Sequence, residues 1–177
     1  GALRTSLSAI VDKVPVRGKL TRVASENFAT TADLYLVLGE ISEEDYTVET
    51  ADGRSKSVGD ALARLARIVC ADLEMLSSEE LLSIAAYVAD RQLSQIIEAL
   101  NQVFQRWWRE EVFKEDLPVI VAGVKKGFLA RKAAIKAGFK KILCVDEVLG
   151  FEASRAMPSV GAALMAAERL GGMSLKG

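Results

Sequence analysis

The chain contains no histidine. That absence removes Ser-His-Asp and Cys-His catalysis, and every histidine-ligated metal site, from its repertoire. Cysteine is nearly absent too. Cys70 and Cys144 each stand alone inside an apolar stretch and read as buried free thiols of a reducing compartment. No apolar run approaches bilayer length, and the N-terminus lacks the form of a signal peptide, so a cytoplasmic protein with no membrane partner is expected. Neither charge sign is in excess. The 23 Lys and Arg against 24 Asp and Glu leave −1, and no basic field points to nucleic acid. Chemistry is left to carboxylates, lysines, arginines, hydroxyls and backbone amides. With 50% of its 177 residues hydrophobic, the chain can bury one substantial core, read as a single domain over 1–177.

The most informative stretch is 118–150. Val119, Ile120 and Val121 form a short β-branched run closed by Ala122 and Gly123. Phe128, Leu129, Ala133 and Ile135 then supply a helical apolar face, with Gly138 placed as its C′ residue. A second apolar run, Ile142–Val145, ends in Asp146 and Glu147. Two strands joined by a crossover helix are parallel and right-handed, so both carboxyl ends share the side where α/β sheets hold ligands.

Upstream, Leu3, Leu7, Ile10 and Val11 have helical spacing, broken at Val14-Pro15-Val16, and 18–24 reads as a short strand or a loop. Arg4, Arg17 and Arg22 are either solvated surface or anion ligands. Ser25 is placed as the cap of a helix running to Gly39. Glu26, Asn27, Thr30, Thr31 and Asp33 crowd two turns of that stretch, the threonines and Asp33 being poor helix formers, and read either as a polar outer face or as a face turned to a ligand. Residues 40–56 form a long loop with six acids in its first thirteen positions, of the kind that serves as a lid or binding loop. Its Thr50-Ala51-Asp52-Gly53-Arg54 turn presents one acid and one guanidinium.

Ser57 caps an amphipathic helix over 57–71, and Ser77 or Ser78 with Glu80 opens the next, whose apolar stripe runs from Leu81 to Trp107. The adjoining Trp108 is read with Trp107 as core packing or a partner surface. Seven Lys and Arg and no acid lie between Lys125 and Lys141. Gly123, Lys125, Lys126 and Gly127, at the junction of strand and helix, are the candidate anion or cofactor site. The P-loop spacing is absent. Pro158 opens a final helix that Gly171-Gly172 ends. The expected fold is α/β, a small mainly parallel sheet with a large helical layer. An opening segment covers 1–24, the helical layer 25–112, and a βαβ-α unit 117–172.

The segments ALRTSLSAIVDKVPVRG, ASENFATTADLYLVLG, TADGRSKS, ALARLARIVCADLEML, ADRQLSQIIEALNQV and PSVGAA resemble the C-terminal half of the archaeal methanofuran-biosynthesis synthase family. That family is hydantoinase/oxoprolinase-like and lies within the actin and sugar-kinase superfamily. The resemblance implies the second lobe of an actin-like ATPase fold, with the ligand between two lobes and glycine-rich phosphate loops upstream. It implies a synthase that joins a furan-methylamine diphosphate to γ-glutamyltyramine. It makes Asp33 and Asp52 candidate catalytic and Mg²⁺ ligands, Arg4, Thr30, Thr31 and Arg54 candidate substrate ligands, and 121–128 the place of ATP or diphosphate. A homo-oligomer, or pairing with an N-terminal lobe, is expected. The alternatives are a nucleotide-binding lobe of an ATP-dependent kinase-like protein, or a non-catalytic lobe.

Overall fold

The computed structural model describes residues 2–107 and 113–169, without the side chains of Trp107, Val124 and Lys126. Trp108, the Trp107 side chain and Gly171-Gly172 therefore lie outside the described residues. It is an α/β structure with much helix and two small sheets, divided into two compact units, Gly1–Gln102 and Val103–Gly177. The sequence reading has one domain, with its inner boundary near residue 112.

In the first unit the expected N-terminal helix is reduced to a 3-10 turn at Leu7–Ala9. Backbone pairing wins over the local apolar spacing: Leu7 N–H bonds Ala29 O at 3.1 Å, and Thr31 N–H bonds Thr5 O at 2.9 Å. Strands β1 (Lys13–Val16) and β2 (Lys19–Arg22) form an antiparallel hairpin, settling 18–24 in favour of a strand. Its turn residues Arg17 and Gly18 both have positive φ, 48° and 76°, which suits the right-handed twist of a two-residue hairpin. Helix α1 is Thr31–Val37, starting six residues after the cap expected at Ser25. The Thr-Thr-Asp sequence that weakens a helix interior is what begins one. Asp33 folds back so that its Oδ2 accepts the Thr30 N–H at 2.9 Å.

Helix α2 (Val58–Arg67) has the expected cap, Ser57 Oγ accepting Asp60 N–H at 3.2 Å, and ends four residues early. Cys70 then lies outside it, with φ 57° and exposed, so the buried-thiol expectation fails there and holds at Cys144. Helix α3 (Ser78–Trp107) carries the long stripe, and Ser77 is its cap: Ser77 N–H reaches Glu80 Oε2 at 2.8 Å, and Glu80 N–H reaches Ser77 Oγ at 3.2 Å. Leu81, Ile84, Ala85 and Val88 are fully buried, as are Leu7, Val14, Leu34 and Leu65 elsewhere in the unit. The stripe's far end differs, with Val103 exposed.

In the second unit β3 (Pro118–Val121) pairs in parallel with β4 (Lys141–Cys144), Val119 opposite Ile142 and Val121 opposite Cys144. The crossover is helix α4 (Val124–Lys136), as the βαβ reading requires. Gly138 has φ 95° and ends it as the C′ residue, with Phe139 N–H bonded to Ala134 O at 3.1 Å and Gly138 N–H to Ile135 O at 3.0 Å. Val145 is not in the second strand. It opens α5 (Val145–Leu149), followed by α6 (Phe151–Arg155) and α7 (Met157–Arg169). One side of the two-stranded sheet is covered through Val121 and Cys144; Ile120 and Leu143 on the other are exposed. Among the described residues no helix is long and apolar enough to cross a membrane.

Candidate functional site

The turn of residues 50–54 does not stand out as a free lid. Asp52 accepts Arg54 N–H at 3.2 Å and Arg54 Nε–H at 2.8 Å, so the turn's acid and guanidinium hold each other. Arg67 Nη1 adds a third donor to Asp52 at 3.1 Å, and Arg64 Nη1 a fourth, also at 3.1 Å. Arg54 is further engaged by Asp60. Burial pushes the Asp52 carboxyl up, but the hydrogen bonds from Arg54 and Arg64 outweigh it and hold its pKa below the ordinary value.

Arg64 is the residue that sequence reasoning missed. It sits on the last turns of α2, where a basic residue reads as solvated, yet its side chain is 0% exposed. Its Nε donates to Asp33 Oδ1 at 2.8 Å, and its Nη1 also reaches Ser55 O at 3.1 Å. Asp33 is likewise fully buried, and the Tyr46 hydroxyl donates to its Oδ1 at 2.8 Å. One guanidinium thus ties the two candidate acids into a single network, buried at Asp33 and Arg64 and reaching the surface at Asp52. Burial works against the Arg64 charge, and the Asp33 carboxylate outweighs it, so its pKa is raised. Burial, then the Asp33 charge, pushes the Tyr46 phenol up to about 12. Tyr46 anchors the loop in the core, and the Lys56 ammonium clips its carbonyl at 2.6 Å.

This arrangement does not suit a carboxylate-held Mg²⁺. Such an ion needs oxygens with open lone pairs. The Asp33 oxygens are taken by Arg64, Tyr46 and Thr30, and those of Asp52 by three guanidiniums. Among the described residues no three acid or thiol side chains converge as a metal site.

Arg4 and Thr30 do come together. The pairing of 3–7 with 29–32 places them on one wall of a polar cleft of about 490 Å³, completed by Asn27, Thr47, Val48 and Glu49. Thr31, one residue on, is fully buried and its Oγ1 accepts Thr5 N–H at 3.3 Å, so it holds the wall rather than facing the cleft. Asn27 belongs to the polar group of 26–33 but lies in an irregular segment before the helix, and Thr47 lies in an irregular segment with no periodic signal to mark it. Glu49 was one acid among six in its loop.

In the second unit Gly123, Lys125 and Gly127 lie at the carboxyl end of β3, with φ of 120°, 47° and 61°. The first turn of α4 is therefore not a regular helix N-terminus. Gly123 N–H is already bonded to the buried Ser154 Oγ at 3.0 Å. A Cβ on Gly127 would meet Ala122 O at 3.1 Å, so only glycine suits that close approach. Lys125 is exposed, and the side chain of Lys126 lies outside the described residues.

The family model of hydantoinase/oxoprolinase matches residues 1–168. The chain is 35% identical over 170 residues to the (4-{4-[2-(gamma-L-glutamylamino)ethyl]phenoxymethyl}furan-2-yl)methanamine synthase of Methanocaldococcus jannaschii, a match covering 96% of this chain and 48% of that protein. It is 29% identical to the synthase of the same name from Methanococcus vannielii, over 93% of this chain and 72% of that one. The chain thus spans about half the length of the first of these relatives.

Proposed function

Because the chain belongs to the hydantoinase/oxoprolinase family, we propose that it is the C-terminal half of a synthase in methanofuran biosynthesis, like the relatives it matches. The observation that carries this reading is 35% identity sustained over 96% of the chain. The product in the relatives' name contains a phenoxymethyl bridge between a γ-glutamyl phenethylamide and a furan-methanamine. Such a bridge forms when the phenol oxygen attacks the furan methylene carbon. The carbon–oxygen bond to diphosphate breaks, diphosphate leaves, and the phenolic proton passes to a base.

We assign the diphosphate to the Gly123–Gly127 turn, at the carboxyl end of a parallel strand beside Lys125. Asp33 and Asp52 we assign to holding the first unit together, since their oxygens are engaged. The chain would form the second lobe of an actin-like fold and act with an N-terminal lobe or a second copy, on small-molecule substrates in the cytoplasm.

The test is turnover of furan-methylamine diphosphate with γ-glutamyltyramine, by the chain alone and with the remaining portion of the M. jannaschii relative added. Ether product and released diphosphate are expected only in the combined sample. Phosphorylated product from ATP, without ether, would favour the kinase-like alternative. No turnover in either sample overturns the synthase reading.

A further inference from the structure

We propose that the cleft of the first unit binds the α-amino-acid head of a γ-glutamyl compound, the end of the phenol substrate remote from the new ether bond; this rests on the synthase reading above. The named product ends in a γ-L-glutamyl amide, which carries an α-carboxylate and an α-ammonium on one carbon. A site for that head needs a fixed cation, an acid, neutral hydrogen-bonding groups for the remaining valences, and little net charge. The cleft has that inventory: Arg4, Glu49, then Asn27, Thr30 and Thr47, with Val48 to pack methylenes.

Charge decides between the two substrates. A diphosphate carries several negative charges and calls for several cations, whereas this lining offers one cation and one acid. A zwitterion leaves it neutral, and a diphosphate would leave Glu49 beside an anion.

Neither charged group of the cleft is engaged by another side-chain charge: among the described residues Arg4 and Glu49 have no ion-pair partner, whereas Arg17, Arg54, Arg64 and Arg67 are tied to acids. The walls that carry them are fixed from behind. Leu7 N–H to Ala29 O and Thr31 N–H to Thr5 O hold the Arg4 and Thr30 side. Tyr46, buried at 1% exposure and bonded to Asp33, holds the segment that leads into Thr47, Val48 and Glu49. The buried network therefore acts as the support of the cleft. At about 490 Å³ the cleft falls within the size of small-ligand sites, so it can take the head with part of its chain.

The probe is γ-L-glutamylethylamide, which has the head and no phenol, titrated into the 177-residue chain by calorimetry and backbone amide NMR. Shifts are expected at 3–7, 27–31 and 46–50. Arg4→Ala should weaken binding about tenfold or more, the loss of a charge-assisted hydrogen bond. In that variant the free acid and its methyl ester should bind equally, whereas the wild type prefers the acid. Glu49→Gln should likewise abolish the preference for the free amine over its N-acetyl form. Thermal unfolding of both variants should match the wild type, because both side chains are exposed.

Absence of binding, shifts elsewhere, or variants that keep both preferences would overturn the proposal. If the combined sample forms the ether and Arg4→Ala leaves the KM for γ-glutamyltyramine unchanged, the cleft assignment fails alone. If the head binds as expected and no ether ever forms, the synthase reading fails and the cleft stands.

Discussion

In the unit Gly1–Gln102 an arginine and an aspartate, Arg64 and Asp33, are completely buried. In the unit Val103–Gly177 several apolar side chains remain in water: Ile120 is 64% exposed, Leu143 51% and Val148 70%. The first unit completely buries Leu34, Leu65, Leu81, Ile84 and Val88, and it encloses an ion pair as well. The second has, among the described residues, a two-stranded sheet whose Ile120 and Leu143 stay exposed even though they share an apolar pocket with Val148, Leu149 and Met157. Size is only part of the difference. Helix α4 is rich in lysine and alanine and offers a thin apolar face, whereas α2 and the first half of α3 present leucine, isoleucine and valine. Stability is therefore expected to reside in the first unit, and the exposed face of the second to govern association.

The largest effect should come from breaking the buried network at one partner. Arg64→Ala leaves the Asp33 carboxylate buried with its strongest donor gone, and should destabilise by about 3–5 kcal/mol in urea denaturation. Replacing Asp33 and Arg64 together with apolar residues of similar size should recover much of that loss. A double variant no more stable than Arg64→Ala would mean that the network is needed for packing beyond its own charge balance.

Next comes a matched pair of core and surface truncations. Ile84→Ala, in the first unit, should cost about 2–5 kcal/mol. Ile120→Ala, in the second, should stay within about 0.5 kcal/mol, since its side chain is mostly solvated already. Equal losses would show that the exposed sheet face is covered in solution.

A pH titration separates the units further. The Tyr46 pKa is raised from 10.0 to about 12, so its neutral phenol stabilises the folded state fully below pH 10 and that contribution is lost as pH rises toward 12. Tyr46→Phe should flatten this alkaline loss. On the acid side the lowered Asp52 pKa gives stability present above the ordinary value of 3.8 and lost as pH falls below it. Asp52→Asn should be less sensitive there. A steep Tyr46→Phe loss between pH 10 and 12, equal to the wild type's, would remove Tyr46 from the network's pH response.

The smallest effect on stability belongs to the second unit's surface. Ile120→Lys with Leu143→Glu should barely move the unfolding midpoint, yet it should shift light scattering from a dimer or larger species to a monomer. A wild-type chain that is already monomeric at high concentration would undo this expectation.

Much of the local architecture was legible in the sequence. The caps at Ser57 and Ser77, the parallel pairing around 118–145, the long third helix and the Gly138 terminus all follow from hydrogen-bonding groups and periodicity within a few residues. Of the groups the sequence marks as ligand candidates, Arg4 and Thr30 line the polar cleft of the first unit, while Asp33, Thr31 and Arg54 hydrogen-bond or ion-pair within the protein. Asn27 falls within the polar group of 26–33 that the sequence offers as an outer face or a ligand face, whereas Thr47 and Glu49 carry no periodic or capping signal that marks them.

The sequence by itself determined the later helices and the parallel strand pair, and the chemistry left after histidine is removed. Only the tertiary structure decided which charges are spent. Arg64 and Asp33 are 31 positions apart and Tyr46 lies between them, so no local pattern couples the three. Enclosure by the core removes water from all of them at once, and in a medium of low polarity each must find its partner inside the protein. That requirement engages the oxygens of Asp33 within the protein, whereas Arg4 and Glu49 line the cleft with no ion-pair partner among the described residues.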